Sequence, residues 1–556
     1  MPVIPLTPSS SYPSPVSPLS AQAENNVPVG NSHNVAVNLR SLANVSEIRG
    51  VPDPIINKKN GPYYSAKRDE NIDLNCKVDS SDSNNERIVC RHLGSYWREL
   101  FTQGGGKVDY RQLATLEAIR SNVSAEKYHK AHLAPGVVSL VENQYWGRVI
   151  LELFRDMQNN GDTLQTIEID TADHVMALGL KIKPASGGHK WVIQFYDPNH
   201  TATHKRAEYA ANNQKDIEKL TAGNFLAKED LSEGGVSAFI ERHPLRSIST
   251  IKHLPDNLLQ PMVIHHAMKR NLTDILQRVA EKLKVSSLGA GEMEKLLAAK
   301  NEDGIPGLYM ALQDGYADTI RVYSEIVQQA KLRSELRMEL LSAKNEDGTP
   351  GFYIALHDGY AEAVKEYGDI VLQAGLEPKL TMELLASKDE NGTPGLSYAL
   401  NNGNTVAVQA FGEIVLQAKL DPERVRELLA SKDENGTPGL YCALQEGHAG
   451  VVRAYVEIVL RAGLSSEYVM ELLASKDKNG TPGLYWALHN GHTKTVQFFV
   501  ELLLEAKLEP KNTAALLDAR DRNGTQGLET ALVNGHDNTA QVLLALVREY
   551  CNLLQR

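Results

Sequence analysis

The stretch Asp173-His174-Val-Met-Ala-Leu-Gly-Leu-Lys-Ile-Lys183, Pro184-Ala-Ser-Gly-Gly188, His189-Lys-Trp-Val-Ile-Gln-Phe-Tyr-Asp197-Pro-Asn199 decides how the first half of the chain is read. Two runs rich in strand-forming residues flank a cluster of turn formers, which predicts a β-hairpin. With Pro184 to Gly187 as a four-residue loop, Lys183 pairs with Gly188. Carried outward, that register sets His174 opposite Asp197. Directly opposed residues share a face, with Cβ atoms about 4.5–5.5 Å apart. An imidazole at the start of one strand then touches a carboxylate at the end of the other. Such a pair orients a catalytic histidine and lacks only a nucleophile.

The rest of the composition narrows the class. With 556 residues, 42% hydrophobic and 23% charged, the chain has room for two or three domains. A net charge of −11 argues against a general nucleic-acid or anionic-membrane binder. No apolar run approaches the ~20 residues of a membrane span. Cys76, Cys90, Cys442 and Cys551 are scattered, forming no framework for disulfides or zinc, so a reducing compartment is expected. No histidine spacing on one element calls for a metal, and no cofactor is expected.

Residues 1–50 carry seven prolines by Pro28 amid Ser and Asn, and are expected to be disordered. The opening Met1-Pro-Val-Ile-Pro5 lacks the basic and apolar regions of a Sec-type signal. The segment is either a plain tail or an uncleaved export signal, for which a secretion chaperone would be the partner. Residues 51–250 read as one α+β domain. Helical periodicity in Leu93, Trp97, Leu100 and Phe101 puts Cys90 at or near a helix start, where free N–H groups and the dipole favour a thiolate. Residues 109–132 and 145–157 are further helical candidates. The polar stretch 200–230 and Ser237-Ala-Phe-Ile-Glu-Arg-His-Pro244 resist assignment.

From residue 257 to 556 the chain is a tandem repeat. Gly307, Gly351, Gly395, Gly439, Gly483 and Gly527 recur every 44 residues, and the fullest unit reads Asp433-Glu-Asn-Gly-Thr-Pro-Gly-Leu-Tyr-Cys-Ala-Leu-Gln-Glu-Gly-His448. A fixed period of this size predicts an α-solenoid whose units bury their apolar faces on one another. The Asn-Gly-Thr-Pro-Gly-Leu-Tyr core is ankyrin-like: Gly supplies positive φ, Thr caps, and Pro pre-sets the first helical φ. The period exceeds ankyrin's ~33 residues, and the surplus fits a third short helix such as Glu377–Ala386. Val263-Ile-His265-His266-Ala-Met268 is a degenerate first unit, with its histidines at helix positions, and Thr525-Gln526-Gly527 marks a capping last one. Variable points near the turns (Gln313, His357, Asn401, Gln445) are candidates for reading a partner.

Cys90, His174 and Asp197 follow the Cys…His…Asp order of papain-like enzymes. There a thiolate attacks a carbonyl, an imidazolium protonates the departing amine, and the acid fixes the tautomer. The alternative for Cys90 is a small buried hydrophobe, and for the His–Asp pair a structural contact. His189 lies eight residues from Asp197 in one strand, roughly 25 Å away, and His92 is off Cys90's helix face. Oxyanion stabilisation is expected from the Cys90 N–H plus Asn84, with Asn85 next.

Ile88-Val-Cys90-Arg-His-Leu93, His174-Val-Met-Ala-Leu178 and Phe195-Tyr-Asp197-Pro-Asn199 resemble the EspL-type cysteine-protease effectors of enteric pathogens. The related enterotoxin-family effectors share the layout, with C-terminal ankyrin-like repeats. The resemblance covers roughly residues 80–556, although the repeat array is longer than in that family. It implies a papain-like protease with Cys90 as nucleophile, His174 as base and acid, and Asp197 as orienting acid. It further implies delivery by a bacterial type III system into the host cytoplasm. The implied substrates are host necroptosis and inflammatory proteins bearing RIP homotypic interaction motifs, docked by the repeats. Two alternatives keep their own predictions. The same triad performs deamidation or acyl transfer, or an ADP-riboxanase-like NAD-dependent transferase modifies arginine through Glu241.

Overall fold

The computed structural model describes residues 62–64, 72–82, 86–171, 173–227, 235–242, 249–301, 303–506 and 508–554. The N-terminal segment 1–50 and the oxyanion candidates Asn84 and Asn85 lie outside them. The strands are β1 (Tyr63–Tyr64), β2 (Val78–Asp79), β3 (Arg87–Ile88), β4 (Gly136–Glu142), β5 (Leu164–Asp170), β6 (Val175–Ala185), β7 (Gly188–Tyr196), β8 (Lys205–Ala210), β9 (Val236–Arg242) and β10 (Thr250–His253). Eight of them form one sheet in the order β1-β8-β7-β6-β5-β9-β4-β10, antiparallel except where β10 joins β4. β2 and β3 make a separate ribbon.

The hairpin β6–β7 forms, but its register differs from the one expected. Ala185 pairs with Gly188 and Lys183 with Lys190, so the loop is only Ser186-Gly187. Gly187 and Gly188 have φ of 90° and 139°, and that freedom lets a two-residue turn replace the longer one. His174 and Asp197 each lie one residue beyond the paired strands, where the pleat no longer dictates direction.

Two helices cover the sheet from opposite sides. α1 (Cys90–Gln103) buries Leu93, Trp97 and Phe101 on β6 and β7, against Ala177 and Tyr196. Gly179 is required there, because a Cβ would come within 2.4 Å of the Phe101 ring. The predicted helix over 109–132 is broken into a 3-10 turn (Tyr110–Gln112), α2 (Leu116–Asn122) and α3 (Ala125–Leu133), with Thr115 and Ser124 as side-chain N-caps. α4 (Trp146–Asn160) packs Trp146, Ile150 and Phe154 on the other face, against Ile169, Leu178 and Phe195. The polar stretch 200–230 contains β8 and the short α5 (Gln214–Glu218). The unassigned Ser237 region is β9, in the middle of the sheet.

The repeats begin with α6 (Pro261–Lys269), α7 (Thr273–Lys284) and α8 (Ala290–Leu297); the next inner helix is α9 (Gly307–Gln313). Each later unit but the last has an inner helix opening on the periodic Gly, a longer outer helix, and a short third one, as in Gly351–Asp358, Ala361–Gln373 and Pro378–Leu385; the last has only Gly527–Val533 and Asp537–Leu554. The local chemistry differs from the expected cap. Thr does not cap and Pro is not the first helical residue: Pro350, Pro394, Pro438 and Pro482 occupy the N-cap position. The loop is closed instead from upstream, the Asp389 carboxylate accepting from the Asn391 and Thr393 amides at 3.0 and 2.8 Å. Sheet region and repeats share one compact unit and one core, in which Val138, Leu140, Ala238 and Ile240 meet Val263, Ile264, Ala267 and Met268. Thus α1 covers the β6–β7 half of one sheet face, and α6 covers its β9–β4 half.

Candidate active site

Cys90 is the first residue of α1, with Val89 in extended conformation as the N-cap. Its N–H therefore has no intrahelical acceptor. The turn joining β5 to β6 is closed by the Thr171 amide donating to the His174 carbonyl at 3.1 Å, which brings His174 beside the helix start. His174 Nε2 lies 2.7 Å from Asp197 Oδ1. With Nε2 engaged, Nδ1 is the nitrogen left for the Cys90 thiol, to which the ring is hydrogen-bonded. The Val175 amide donates to Cys90 Sγ at 3.5 Å. Asp197 is fixed in turn by the Asn199 amide at 2.9 Å, capping a short 3-10 turn. Sequence positions 90, 174 and 197 thus meet in one hydrogen-bonded chain.

The electrostatics follow from these contacts. Burial pushes the Cys90 thiol up, but the hydrogen bond and charge of His174, with the Val175 amide, bring it below its usual value. Burial alone would lower His174; Asp197 and Cys90 reverse this and raise it. Asp197 is held below the usual carboxylate range because His174 and the Asn199 amide outweigh its burial. Together these shifts favour a thiolate–imidazolium pair.

Cys90 opens onto a cleft of about 290 Å³. Its floor is the sheet face at Val138, Val175 and Ile240, one wall is α3 with His129 and His132, and the other wall is the repeats, with Lys269, Ile305, Met310 and Gln313. The cleft is the seam between α1 and α6. Below it lies a buried charge cluster that sequence reading missed. Glu168 and Asp170, on β5, are 1% and 0% exposed. Glu168 meets Arg98 of α1 at 3.1 Å, His132 of α3 at 3.1 Å, and Arg242 of β9. Asp170 meets Lys269 at 3.0 Å and Arg270. Despite their burial both carboxyls are held well below the usual range, by Arg242 and His132 at Glu168 and by Arg270 and Lys269 at Asp170. The one signal in the sequence was Thr166-Ile-Glu-Ile-Asp170, whose alternation puts two acids on one strand face.

The remaining sequence candidates fall outside this chain of contacts. His189 is exposed at the hairpin turn. His92 is fully buried and accepts the Val89 amide at Nδ1, 3.2 Å away. His265 and His266 are buried on α6, His266 Nε2 donating to the Val236 carbonyl at 2.8 Å. Glu241 accepts from Gln165 at 2.6 Å and lies on the opposite face of β9 from Ile240 and Arg242, which line the cleft. Among the described residues, Glu86, His92 and His129 bring three ligand-type atoms within 4.8 Å of one another. Both ring nitrogens of His92 already face donors, the Val89 amide at 3.2 Å and Arg91 Nε at 3.3 Å, so the ring offers no open lone pair to an ion. No helix among the described residues is long and apolar enough to cross a membrane.

Fold and site define a sheet domain with a thiol–imidazole–carboxylate chain, fused to a helical repeat array. Residues 51–301 match the N-terminal region of the ShET2 enterotoxin family, so the likeness to that family rests on the sheet domain and the first repeat. Over 283 residues it is 44% identical to effector protease OspD3 of Shigella flexneri, covering 50% of each chain. The chain therefore spans about half the length of the curated relative it matches. Two solved ankyrin repeat domains resemble it. One, from Acinetobacter baumannii, has 22% identity and a TM-score of 0.29, covering 43% of this chain and 96% of its own. The other, human ASB11, has 13% identity and a TM-score of 0.30, covering 51% of this chain and 96% of its own.

Proposed function

We propose that the protein is a secreted cysteine protease of papain-like type that cleaves polypeptides inside a host cell. The observation that carries the reading is the hydrogen-bonded sequence Cys90–His174–Asp197 at the mouth of a cleft. The helix-borne thiolate attacks the substrate carbonyl, and the Cys90 N–H, at the free end of α1, faces the developing oxyanion. The imidazolium gives its Nδ1 proton to the departing amine, leaving a thioester. Water then attacks the thioester, with the neutral imidazole taking its proton, and the acid and free thiolate are regenerated. Asp197 holds the ring in the one tautomer that serves both steps. Asn84 is proposed as a second oxyanion donor. The naming of OspD3 as an effector protease supports the reaction class.

The finer reading names type III delivery, with a chaperone on the N-terminal segment, and as substrates host proteins of necroptosis and inflammatory signalling that carry RIP homotypic interaction motifs. The test is to incubate the purified full chain with such proteins and added NAD, beside Cys90→Ser and Glu241→Ala, and to analyse products by mass spectrometry. Backbone fragments made only by the wild type support the protease. Intact backbones with altered glutamine side chains mean a deamidase on the same triad. Arginine modification lost in Glu241→Ala but kept in Cys90→Ser would overturn both.

A further inference from the structure

The period of 44 residues makes positions in different units comparable, and one set has three different environments along the array. In the first unit these positions are His266, Lys269 and Arg270, and the sheet domain occupies them. His266 bonds to the Val236 carbonyl, and Lys269 and Arg270 hold Asp170. In the second unit they are Met310, Gln313 and Asp314, which line the cleft onto which Cys90 opens. In the following units they are Ile354 and His357, Tyr398 and Asn401, Cys442 and Gln445, Trp486 and His489, each half-buried or exposed on the inner helices. Successive inner helices touch: the periodic Gly of each abuts its predecessor, as Gly395 does Tyr353 and Leu356. Side chains of neighbouring units meet on this face, with His357 and Tyr398 rings 4.9 Å apart. The solenoid face that grips its own catalytic domain thus continues through the cleft and out along the array.

The tips of this face are held rigid from one unit to the next. Asn404 donates to the His357 carbonyl at 2.8 Å, and His448 and His492 lie 2.9 Å from the Asn401 and Gln445 carbonyls. A preformed surface binds with less ordering cost than a mobile one.

We propose that an extended segment of the substrate polypeptide, continuing from the bond held at Cys90, lies along this inner-helix face. It would set an apolar side chain against each of Ile354, Tyr398, Cys442 and Trp486. The spacing follows from geometry. Packed helices lie about 8–10 Å apart and an extended chain rises about 3.3 Å per residue, so each unit reads about three residues. The array is then the far part of the active-site cleft, and the recognised element is an extended stretch about a dozen residues long.

This rests on Cys90 acting as a protease, and the experiment separates the two claims. Denatured proteome-derived peptides of two length classes, about 8 and about 30 residues, are digested with full-length protein and sequenced. The expected result is that long peptides are cut with KM lower on the order of tenfold, with kcat unchanged. The double variant Tyr398→Ala/Trp486→Ala should abolish that advantage while cutting short peptides as wild type does. Asn401→Trp, at an exposed position, should obstruct the face without touching the core and raise KM for long peptides only. Equal KM for both lengths in the wild type, or variants with undiminished preference, would overturn the track and leave the protease standing. Cleavage surviving in Cys90→Ala, or none by the wild type, would remove the protease and the track with it.

Discussion

Asp170 on the central strand β5 is fully buried and held 3.0 Å from Lys269 on the first repeat helix, 99 positions later in the chain. The two belong to regions that sequence reading separates into a catalytic domain and a docking array. Asp170 also pairs with Val175, whose amide donates to Cys90 Sγ, and it precedes the turn that presents His174. The first repeat is therefore part of the fold that holds Cys90 and His174.

Removing one side of this buried cluster leaves an uncompensated charge. Lys269→Ala and Arg270→Ala should each destabilise the protein by about 3 kcal/mol, seen as a lower thermal midpoint. Arg453→Ala, which breaks an exposed pair with Glu457, should leave the midpoint unchanged. A chain cut before α6 should fail to fold, since it exposes Val138, Leu140 and Ile240 and strands both acids. A stable, active product ending before residue 261 would refute the fused arrangement.

Thiol labelling reads the activation of Cys90 without a substrate. Burial raises the thiol of Cys76, and that of Cys442 is pushed up to about 11, whereas Cys90 is lowered. At pH near 7, iodoacetamide should modify Cys90 first, as mapped by peptide mass spectrometry. His174→Ala should slow that reaction and leave the others alone. Equal rates at Cys90 and the exposed Cys76 would mean that the histidine does not activate the thiol.

What the sequence made legible was local chemistry. The array is readable because its glycines recur every 44 residues, whereas the closure of each loop by an upstream carboxylate, as Asp433 accepts from the Thr437 amide at 2.7 Å, took the place of the expected Thr cap. The hairpin is readable from its strand residues, yet its register shifted because two adjacent glycines admit a tighter turn. Cys90, His174 and Asp197 still meet, since His174 and Asp197 lie just outside the pleat. What stayed hidden depends on distant partners. β9 is a central strand only because β4, β5 and α6 close around it. Glu168 looks like a surface acid until Arg98 and Arg242, 70 and 74 residues away, enclose it.

For the proposed protease, whose active form is thiolate with imidazolium, the pH dependence of kcat/KM should be bell-shaped. On the acid side the pair takes up a proton at the thiolate, below the ordinary thiol value of 9.0. On the alkaline side it loses the imidazolium proton, above the ordinary 6.5. The two limbs are apparent values of the coupled pair. Asp197→Asn removes the carboxylate that raises His174, so the alkaline limb should move to lower pH while the acid limb moves little. An unmoved alkaline limb in that variant would deny Asp197 its orienting role.

Stability should also depend on pH, through the histidines packed around the junction. Burial holds His132 and His266 down to about 4, and His265 to about 3. Each is neutral in the folded chain, but when unfolded takes a proton near 6.5. Between those values the unfolded state binds more protons, so stability falls as pH falls, by about 1.4 kcal/mol per unit per histidine. The contribution of Glu168 and Asp170, whose folded values are depressed, persists down to about pH 4 and is lost only below it. The thermal midpoint should therefore drop between pH 6.5 and 5, before the carboxylates titrate. His265 is buried among apolar side chains of the first repeat and its imidazole is held down to about 3 mainly by burial, so His265→Leu should flatten the dependence by one proton and keep the fold. A midpoint constant from pH 7.5 to 5 would mean that these rings are protonated in the folded protein, and the sealed junction between sheet and repeats would have to be given up.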